Sequence, residues 1–344
     1  MAPLKEDIRR KIGVIGGGSW GTALADLLAK KGHSVDLWVF EPEVKEQIRT
    51  RRENQFFLPG VTLSENIYPS CNITRTVTGK AMVLIVVPSH VMRNTAVQFA
   101  DSLSPDTILV TASKGIENDT LLTMNGVLNE AVPKISPDRM GVISGPSFAR
   151  EVSLEIPTAV TVASINQDTA GVIQRAFATA FFRVYTIDDV MGVELGGAVK
   201  NVIALAAGVI DGLKLGHNTR AALITRGQTE IRRLGIRMGA RPRTFTGLAG
   251  IGDLVLTCTS DQSRNHTVGK RIGEGEKLSD ILDDMKMVAE GVKTARSVYH
   301  LSWKLNVDMP ICHTIYRVLY EELSPREGLF SLMTRELKHE LDDV

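Results

Sequence analysis

Hydrophobic residues follow two different patterns along the chain, and the change lies near residue 190. Before it, short apolar runs rich in Val and Ile alternate with helical patterns. These runs predict strands over residues 11–15, 34–40, 81–87, 107–111, 141–144 and 158–163. A continuous apolar run such as 81–87, "AMVLIVV", is typical of a strand buried on both faces of a parallel sheet.

After residue 190 the apolar positions follow the helical period instead. They predict helices over 193–210, 218–234, 278–285, 294–305 and 310–320, and a final one over 328–341 with Leu332, Leu337 and Leu341 on one face. Two stretches, 246–260 and 261–275, lack a clear amphipathic period and are predicted to be functional loops. The 344 residues therefore divide into an α/β domain, 1–190, and an all-α domain, 191–344.

The first predicted strand runs into a turn, "GGGSWG", that matches G-x-G-x-x-G with Gly16, Gly18 and Gly21. A helical pattern follows over residues 22–31, so the motif stands between a strand and a helix, the context in which it binds a dinucleotide. The first glycine permits a tight turn, the second lets the backbone approach a pyrophosphate, and the third brings the helix close to the strand. The pattern predicts a Rossmann-type doubly wound sheet.

Glu41 stands about 20 residues beyond the last glycine, at the end of the second predicted strand. A carboxylate there can accept hydrogen bonds from ribose hydroxyls and repels a 2′-phosphate, which favours NAD over NADP. Alternatively, Glu41 only begins the next helix, where acids in the first turn are favourable. NAD is the predicted cofactor, and NADP stays open.

Loops of small or polar residues follow three of the predicted strands: "PSH", "ASKGIE" and "SGPSFAREV". Ligands of open α/β sheets bind outside the carboxyl ends of the strands. We therefore expect Pro88, Lys114 and Ser147 to line one crevice. The alternative for Lys114 is an ordinary surface loop.

Lys200 is the single charged residue in the first fourteen positions of "GGAVKNVIALAAGVIDG", residues 196–212. Lysine is among the residue types least often buried. Either its apolar stem lies along the surface and its ammonium reaches water, or a reaction requires it in a cleft. Desolvation would lower its pKa and let it exchange a proton near neutral pH. On this view Gly196 and Gly197 leave space for substrate and cofactor.

Ser263, Arg264 and Asn265 offer a hydroxyl, a guanidinium and an amide in a row. Such a cluster suits a phosphate, because an arginine fork can bind two of its oxygens. The alternative is the start of a solvated helix with Ser263 as its N-cap, and capping is compatible with phosphate binding.

Composition narrows the class of protein. Forty basic and thirty-nine acidic residues give a net charge of +1, which argues against a nucleic-acid or anionic-membrane partner. The three cysteines, Cys71, Cys258 and Cys312, form neither a disulfide framework nor a zinc motif, and no metal site is predicted. The polar start and the lack of a membrane-length apolar run predict a soluble cytoplasmic protein without stable membrane insertion.

Ten stretches, in order from about residue 12 to 296, resemble the bacterial type of NAD(P)-dependent glycerol-3-phosphate dehydrogenase. They are "IGGGSWGTALA", "ENQFFLPG", "VPSH", "ASKGIE", "SGPSFAREV", "ELGGAVKNVIALAAGVIDGL", "NTRAALITRG", "GLAGIGDL", "SRNHTVG" and "AEGVKTA". The resemblance implies hydride exchange between a nicotinamide and carbon 2 of sn-glycerol 3-phosphate, which interconverts it with dihydroxyacetone phosphate. It also implies a homodimer that supplies glycerol 3-phosphate for phospholipid synthesis.

The resemblance assigns roles to individual residues. Lys200 would be the proton donor and acceptor at the carbonyl oxygen, Lys114 would lie where cofactor and substrate meet, and Asp253 would lie beside the reacting centre. The other substrate contacts would be Gly145, Ser147, Ser263, Arg264 and Asn265. With the glycine motif included, the cofactor contacts would be Gly16, Gly18, Ser19, Trp20, Gly21, Phe40, Glu41, Phe57, Lys114, Ala149, Arg264, Val288 and Glu290.

The chain departs from the family at three of these positions. Phe40 and Glu41 stand where the family often has a basic or polar residue, which supports NAD, and Phe57 stands where it often has Tyr. A sister 2- or β-hydroxyacid dehydrogenase and a non-catalytic nucleotide sensor are the alternatives. The Ser263–Asn265 cluster favours a phosphorylated triose, and a sensor would need neither Lys200 nor Asp253.

Overall fold

The computed structural model describes residues 10–285 and 289–340. Its sheet has eight strands in the order β3-β2-β1-β4-β5-β6-β7-β8, and every neighbouring pair is parallel except β6 and β7. The predicted doubly wound α/β sheet is therefore confirmed. The strands are β1 (Lys11–Ile15), β2 (Ser34–Trp38), β3 (Ile67–Ser70), β4 (Met82–Ile85), β5 (Ile108–Thr111), β6 (Met140–Ser144), β7 (Thr158–Ala163) and β8 (Phe182–Ile187).

The sequence patterns did not predict the two strands at the edges of the sheet. β3 has four residues and contains a proline, Pro69, which an edge strand tolerates because one of its sides is unpaired. β8 alternates between buried and exposed residues, so it lacks the continuous apolar run of the central strands. The helices that accompany the sheet are α1 (Ser19–Lys30), α2 (Pro42–Arg51), α3 (Ile73–Val77), α4 (Met92–Phe99), α5 (Met124–Ala131), α6 (Ala149–Ser153) and α7 (Gln167–Phe177).

The rest of the chain is helical, as predicted. Its helices are α8 (Val190–Gly212), α9 (Gly216–Arg237), α10 (Asp253–Thr259), α11 (Arg264–Gly273), α12 (Leu278–Asp284), α13 (Glu290–Leu305), α14 (Pro310–Tyr320) and α15 (Pro325–Met333). In the described part of the chain, α8 alone is long and apolar enough to cross a membrane, but its apolar window is wholly buried inside the protein. Its buried residues form a large part of the hydrophobic core of this half of the chain.

Three expectations for this half were wrong. Residues 246–260 and 261–275 are not loops: they form a π-helical turn over Leu248–Gly252 and the helices α10 and α11. Helices of seven and ten residues span too few turns for a helical period to stand out. The last helix ends at Met333, and Leu337 beyond it is 96% exposed. Leu341 lies outside the described residues.

The described chain forms two compact units. Unit 1 contains the residues up to Ser113 and Met124–Val190, and unit 2 contains Lys114–Thr123 and the residues from Met191 onward. The sequence pattern predicts segment 114–123 as part of the first domain, whereas in the structure it packs with the helices. The reason is Ile116, whose side chain is buried in the helical core of unit 2.

Candidate active site

The predicted site residues fall into two groups, one in each unit. In unit 2, Asp253 is the first residue of α10, and its carboxylate accepts hydrogen bonds from two lysines. Lys200 Nζ donates to its Oδ1 at 2.6 Å, and Lys114 Nζ donates to its Oδ2 at 2.6 Å. Lys200 also donates to Thr257 Oγ1 at 2.6 Å, one helical turn beyond Asp253. The structure thus brings together all three predicted catalytic residues.

Lys200 is not a surface lysine. It is 6% exposed, so the alternative in which its ammonium extends into solvent is wrong. The pKa of Lys200 is lowered to about 8, mainly because of burial; Asp253 opposes this shift and the charge of Lys114 adds to it. Burial disfavours the charged form of Asp253, but the two lysines outweigh this and hold the pKa of its carboxyl below the ordinary range. A lysine with this pKa can give or take a proton near neutral pH.

Gly196, one helical turn before Lys200, explains why α8 and α10 approach so closely. A Cβ at this glycine would lie 2.4 Å from the carbonyl oxygen of Ala249, in the π-helical turn that leads into Asp253. The glycine therefore lets backbone pack against backbone and sets Asp253 opposite Lys200. The expectation that Gly196 leaves room for substrate is wrong, since the protein itself occupies that space.

Thr257 is a functional candidate that sequence reasoning missed. Its buried hydroxyl donates to the Asp253 carbonyl at 2.7 Å and accepts from Lys200. The ammonium group of Lys200 has three protons. Asp253 and Thr257 accept two of them, which leaves the third for another acceptor. The spacing of four between Asp253 and Thr257 on a helix could have indicated it.

The start of α11 carries the predicted phosphate cluster. Ser263 is its N-cap, since the side chain accepts from the backbone N–H of His266 at 3.2 Å, so the capping interpretation is confirmed. Asn265 Oδ1 accepts from the N–H of Gly291 at 2.9 Å. Gly291 in turn packs against the carbonyl of Asn201, the residue after Lys200, where a Cβ would lie 2.6 Å from the oxygen. These contacts place the starts of α11 and α13 beside the lysine cluster.

Arg264 and Glu290 are the first residues of α11 and α13. Burial lowers the pKa of the Arg264 guanidinium and the charge of Glu290 opposes this, while the residue as a whole is exposed at the helix start. The arginine fork and the positive end of the α11 dipole therefore lie at the same place, an arrangement suited to an anion. Val288, the other predicted cofactor contact near these residues, lies outside the described residues.

In unit 1, the glycine motif has the geometry that a dinucleotide requires. Gly16 has a φ of 120°, and a Cβ there would meet the Val86 carbonyl at 2.3 Å. A Cβ on Gly21 would lie 1.9 Å from the Gly16 oxygen, so its absence lets α1 meet the strand. Gly18 faces open space instead, with no protein atom within 4 Å of where its Cβ would be. Gly18 makes no side-chain capping hydrogen bond to α1, and the N-terminus of a helix is a site that suits a pyrophosphate.

A buried asparagine that sequence reasoning missed holds the "ENQFFLPG" loop on the glycine turn. Asn54 Nδ2 donates to the Gly17 carbonyl and to Thr22 Oγ1, each at 2.8 Å, and its Oδ1 accepts from the N–H of Phe57 at 3.1 Å. Ser19 Oγ donates to the Phe57 carbonyl at 2.5 Å. Ser19 and Phe57, two predicted cofactor contacts, are thereby fixed side by side. Trp20, the next predicted contact, packs its partly buried ring on the core of the sheet unit.

Glu41 combines the two interpretations made from the sequence. It is the N-cap of α2, yet its side chain makes no capping hydrogen bond. Phe40 beside it is 76% exposed and Glu41 is partly exposed, so both residues reach solvent after β2. An acidic side chain that does not serve its own helix is available to ribose hydroxyls.

The loop after β6 carries the remaining predicted contacts of this unit. Gly145 directly follows the strand, and Ser147 Oγ donates to its carbonyl at 3.0 Å. Ala149 is the first residue of α6, which packs against α1. Gly145, Ser147 and Ala149 therefore share one short turn at the carboxyl end of β6, the end of a parallel sheet where ligands bind.

Comparison with known proteins agrees with this geometry. Family models described as the N-terminus and C-terminus of NAD-dependent glycerol-3-phosphate dehydrogenase match residues 11–170 and 189–329. A glycerol-3-phosphate dehydrogenase [NAD(P)+] of Syntrophobacter fumaroxidans is 55% identical over 96% of this chain and 97% of its own. A crystal structure of glycerol-3-phosphate dehydrogenase from Coxiella burnetii has a TM-score of 0.91 and 38% identity, and covers 95% of this chain and 99% of its own.

A sister enzyme class shares the architecture alone. A structure of D-mandelate dehydrogenase covers 94% of this chain and all of its own at a TM-score of 0.60, but with 11% identity. That similarity concerns the fold, whereas the glycerol-3-phosphate dehydrogenase matches extend over both units at high identity. The chain belongs to the NAD(P)-dependent glycerol-3-phosphate dehydrogenase family of oxidoreductases.

Proposed function

We propose that Lys200 is the general acid and base with which this chain interconverts dihydroxyacetone phosphate and sn-glycerol 3-phosphate. The observation that supports this most is the burial of Lys200 between Asp253 and Thr257, with a pKa of about 8. When bound, the reduced nicotinamide supplies the hydride for carbon 2. As charge develops on the carbonyl oxygen, Lys200 Nζ gives it a proton. In the reverse direction neutral Lys200 takes the proton from the hydroxyl at carbon 2.

Lys114 and Asp253 set the charge around that step. Asp253 binds both ammonium groups, so a single carboxylate neutralises one of two positive charges. The cluster keeps a net positive charge, which stabilises an oxygen that becomes negative. Thr257 fixes the direction of the Lys200 ammonium because its hydroxyl is itself tied to the Asp253 carbonyl.

The phosphate of the substrate suits the start of α11. Ser263, Arg264 and Asn265 offer N–H groups, a guanidinium and an amide there, and the helix dipole adds positive potential. Asn265 and Gly291 link this helix start to Asn201, the residue after Lys200. A phosphate held at one end would orient the ketone at the other, which is how binding energy lowers a reaction barrier.

The dinucleotide suits the glycine turn of unit 1. Gly18 and the uncapped start of α1 would hold the pyrophosphate, with Ser19, Trp20, Phe57 and Ala149 beside it. Glu41 would accept from the ribose hydroxyls, and its charge opposes a 2′-phosphate, so we infer a preference for NAD over NADP. In unit 2, Arg264 and Glu290 are the cofactor contacts carried over from the family.

We infer the cellular setting from the cysteines and from the charge of the chain. The three cysteines are free thiols, which is typical of a reducing compartment such as the cytoplasm. The balanced charge of +1 does not favour nucleic acid or a membrane surface. The family resemblance adds a homodimer and a supply of glycerol 3-phosphate for phospholipids.

The test follows NADH oxidation with dihydroxyacetone phosphate and with unphosphorylated dihydroxyacetone. We expect kcat/KM at least about 100-fold lower without the phosphate, because the interactions at α11 are lost. Arg264→Gln should weaken this discrimination, whereas Lys270→Gln, an exposed cation on the same helix, should not. Equal rates with both ketones would favour the sister hydroxyacid enzymes, and no oxidation of NADH would favour a sensor.

A further inference from the structure

The segment that carries Lys114 is attached to the helical unit at two points. Thr123, at its far end, is buried, and its hydroxyl donates to Glu194 Oε2 at 2.7 Å. Glu194 is itself buried and lies on α8, the helix of Lys200. Nearer to Lys114, the hydroxyl of Ser297 on α13 lies 2.8 Å from the carbonyl oxygen of Ile116.

The segment is closed on itself between these points. Ile116 and Thr123 form an isolated antiparallel bridge, and the N–H of Glu117 donates to the Leu122 carbonyl at 2.9 Å. Ser297 Oγ also lies 2.6 Å from Asn118 Oδ1 inside the loop. A displacement at Thr123 or Ser297 would therefore be transmitted to Ile116, two residues from Lys114.

These contacts complete a ring through the active site. From Lys200 it passes to Asp253, to Lys114, along segment 114–123 to Thr123, and through Glu194 back to α8. A lysine side chain has many rotamers, so it keeps a 2.6 Å contact only if its backbone is fixed. None of the contacts at Thr123 or Ser297 reaches the reacting atoms.

We propose that Thr123 and Ser297 are positioning residues whose hydroxyls hold segment 114–123 so that the Lys114 ammonium stays on Asp253. This inference rests on the proposed function, in which Lys114 supplies positive charge beside Lys200. Glu194 is the acceptor on which Thr123 depends.

Loss of this positioning should shift the pH dependence of kcat. Lys200 faces Asp253, Thr257 and Cys258 from α10 and Lys114 from the segment. If Lys114 withdraws, Lys200 loses a neighbouring cation and no longer shares Asp253, so its pKa rises. In the direction of ketone reduction, the fall in kcat at alkaline pH then moves to higher pH. A loosened core does not by itself produce such a shift.

The experiment uses Thr123→Val, which keeps the shape and removes the hydroxyl, and Ser297→Ala at the other attachment point. We expect kcat for dihydroxyacetone phosphate to fall about tenfold in each variant. The fall in kcat at alkaline pH should move to higher pH, and KM for NADH should stay within about twofold of wild type. Thr123→Ser restores the hydroxyl and should restore kcat and its pH dependence. Thr225→Val, the same change at an exposed position of α9, should behave as wild type.

Unfolding by urea is measured for every variant, so that rates refer to folded protein. A tenfold loss without a shift of the alkaline fall in kcat, or wild-type kinetics in folded Thr123→Val and Ser297→Ala, would overturn the inference. The proposed function fails separately, if Lys200→Met retains turnover. Rescue by Thr123→Ser in that case would still support the positioning of Lys114.

Discussion

Lys200 and Asp253 form an ion pair that is almost inaccessible to water, with 2.6 Å between Nζ and Oδ1 and at most 7% of either side chain exposed. A buried ion pair is weak evidence for stability, because desolvation of both charges offsets their attraction. What the pair provides here is a lysine with a pKa of about 8 in a fixed direction. Stability and proton transfer can therefore be separated by mutation.

Removal of the Lys200 amine tests the proton donor directly. We expect Lys200→Met to lower kcat by at least about 1,000-fold, because the proton transfer and the adjacent positive charge are both lost. The dissociation constant for NADH, measured by fluorescence titration, should stay within about twofold, since binding of the dinucleotide uses other residues. Lys304→Met, an exposed lysine on α13, serves as the control. Activity within a few fold of wild type would contradict the assignment.

Asp253→Asn should move the pH profile in the opposite direction from loss of Lys114. Asp253 raises the pKa of Lys200, so without its charge that pKa falls below about 8. The alkaline fall in kcat for ketone reduction then begins at lower pH, and kcat itself drops because Asp253 no longer forms an ion pair with either lysine. A pH series from 6 to 10 measures both, at about half a pH unit per step. If the alkaline fall in kcat stays at the same pH, it reflects the titration of a group other than Lys200.

Glu41 is expected to decide between the two dinucleotides. Glu41→Ala removes the carboxylate that opposes a 2′-phosphate, so kcat/KM for NADPH relative to NADH should rise about tenfold or more. Glu43→Ala, an exposed acid in the first turn of the same helix, is the matched control. A wild-type enzyme that clearly prefers NADPH would be inconsistent with the role given to Glu41.

Asn54 should affect NADH affinity without touching the chemical step. Asn54→Ala releases the Phe57 loop from Gly17 and Thr22, so we expect KM for NADH to rise about tenfold while saturating kcat changes little. Gln55→Ala alters an exposed neighbour in the same loop and should leave KM unchanged. If kcat falls and KM does not, the loop acts on the reaction and not on the dinucleotide.

The buried carboxyl of Glu230 should make the stability of the protein depend on pH. Its buried carboxyl accepts from the N–H groups of Ile311 and Cys312 at the start of α14, and burial raises its pKa from 4.5 to about 7. The folded state thus binds the proton more tightly than the unfolded state. The contribution of Glu230 to the free energy of unfolding is greatest below pH 4.5 and is lost as pH rises to about 7.

Glu230→Gln, which cannot titrate, should remove this part of the decline. The difference in free energy of unfolding between wild type and variant should change by more than about 1.4 kcal/mol between pH 5 and pH 8, measured by urea denaturation. Parallel curves for the two proteins would show that the carboxyl titrates normally in the folded state.

The sequence predicted what depends on local pattern. Buried strands such as β4, the Gly16 turn and the α8 core helix all follow from periodicity or a motif with a known backbone requirement. The contacts of Thr257, Asn54 and Thr123 could not be predicted in this way. Each joins residues that are far apart in the chain or that lie in short helices without a clear period. The role of Gly196 was misread for the same reason, since the backbone that fills its space comes from a distant turn.

The placement of segment 114–123 has a consequence for how the enzyme can be divided. A C-terminal fragment that begins at Met191 contains Lys200 and Asp253 but lacks Lys114. That lysine lies earlier in the chain, between the two segments that form unit 1. The helical unit therefore cannot be completed by a contiguous stretch of polypeptide. Gene fusions, split reporters or domain exchanges cut at the obvious boundary would transfer Lys200 and Asp253 and leave behind Lys114, their partner in the ion-pair cluster.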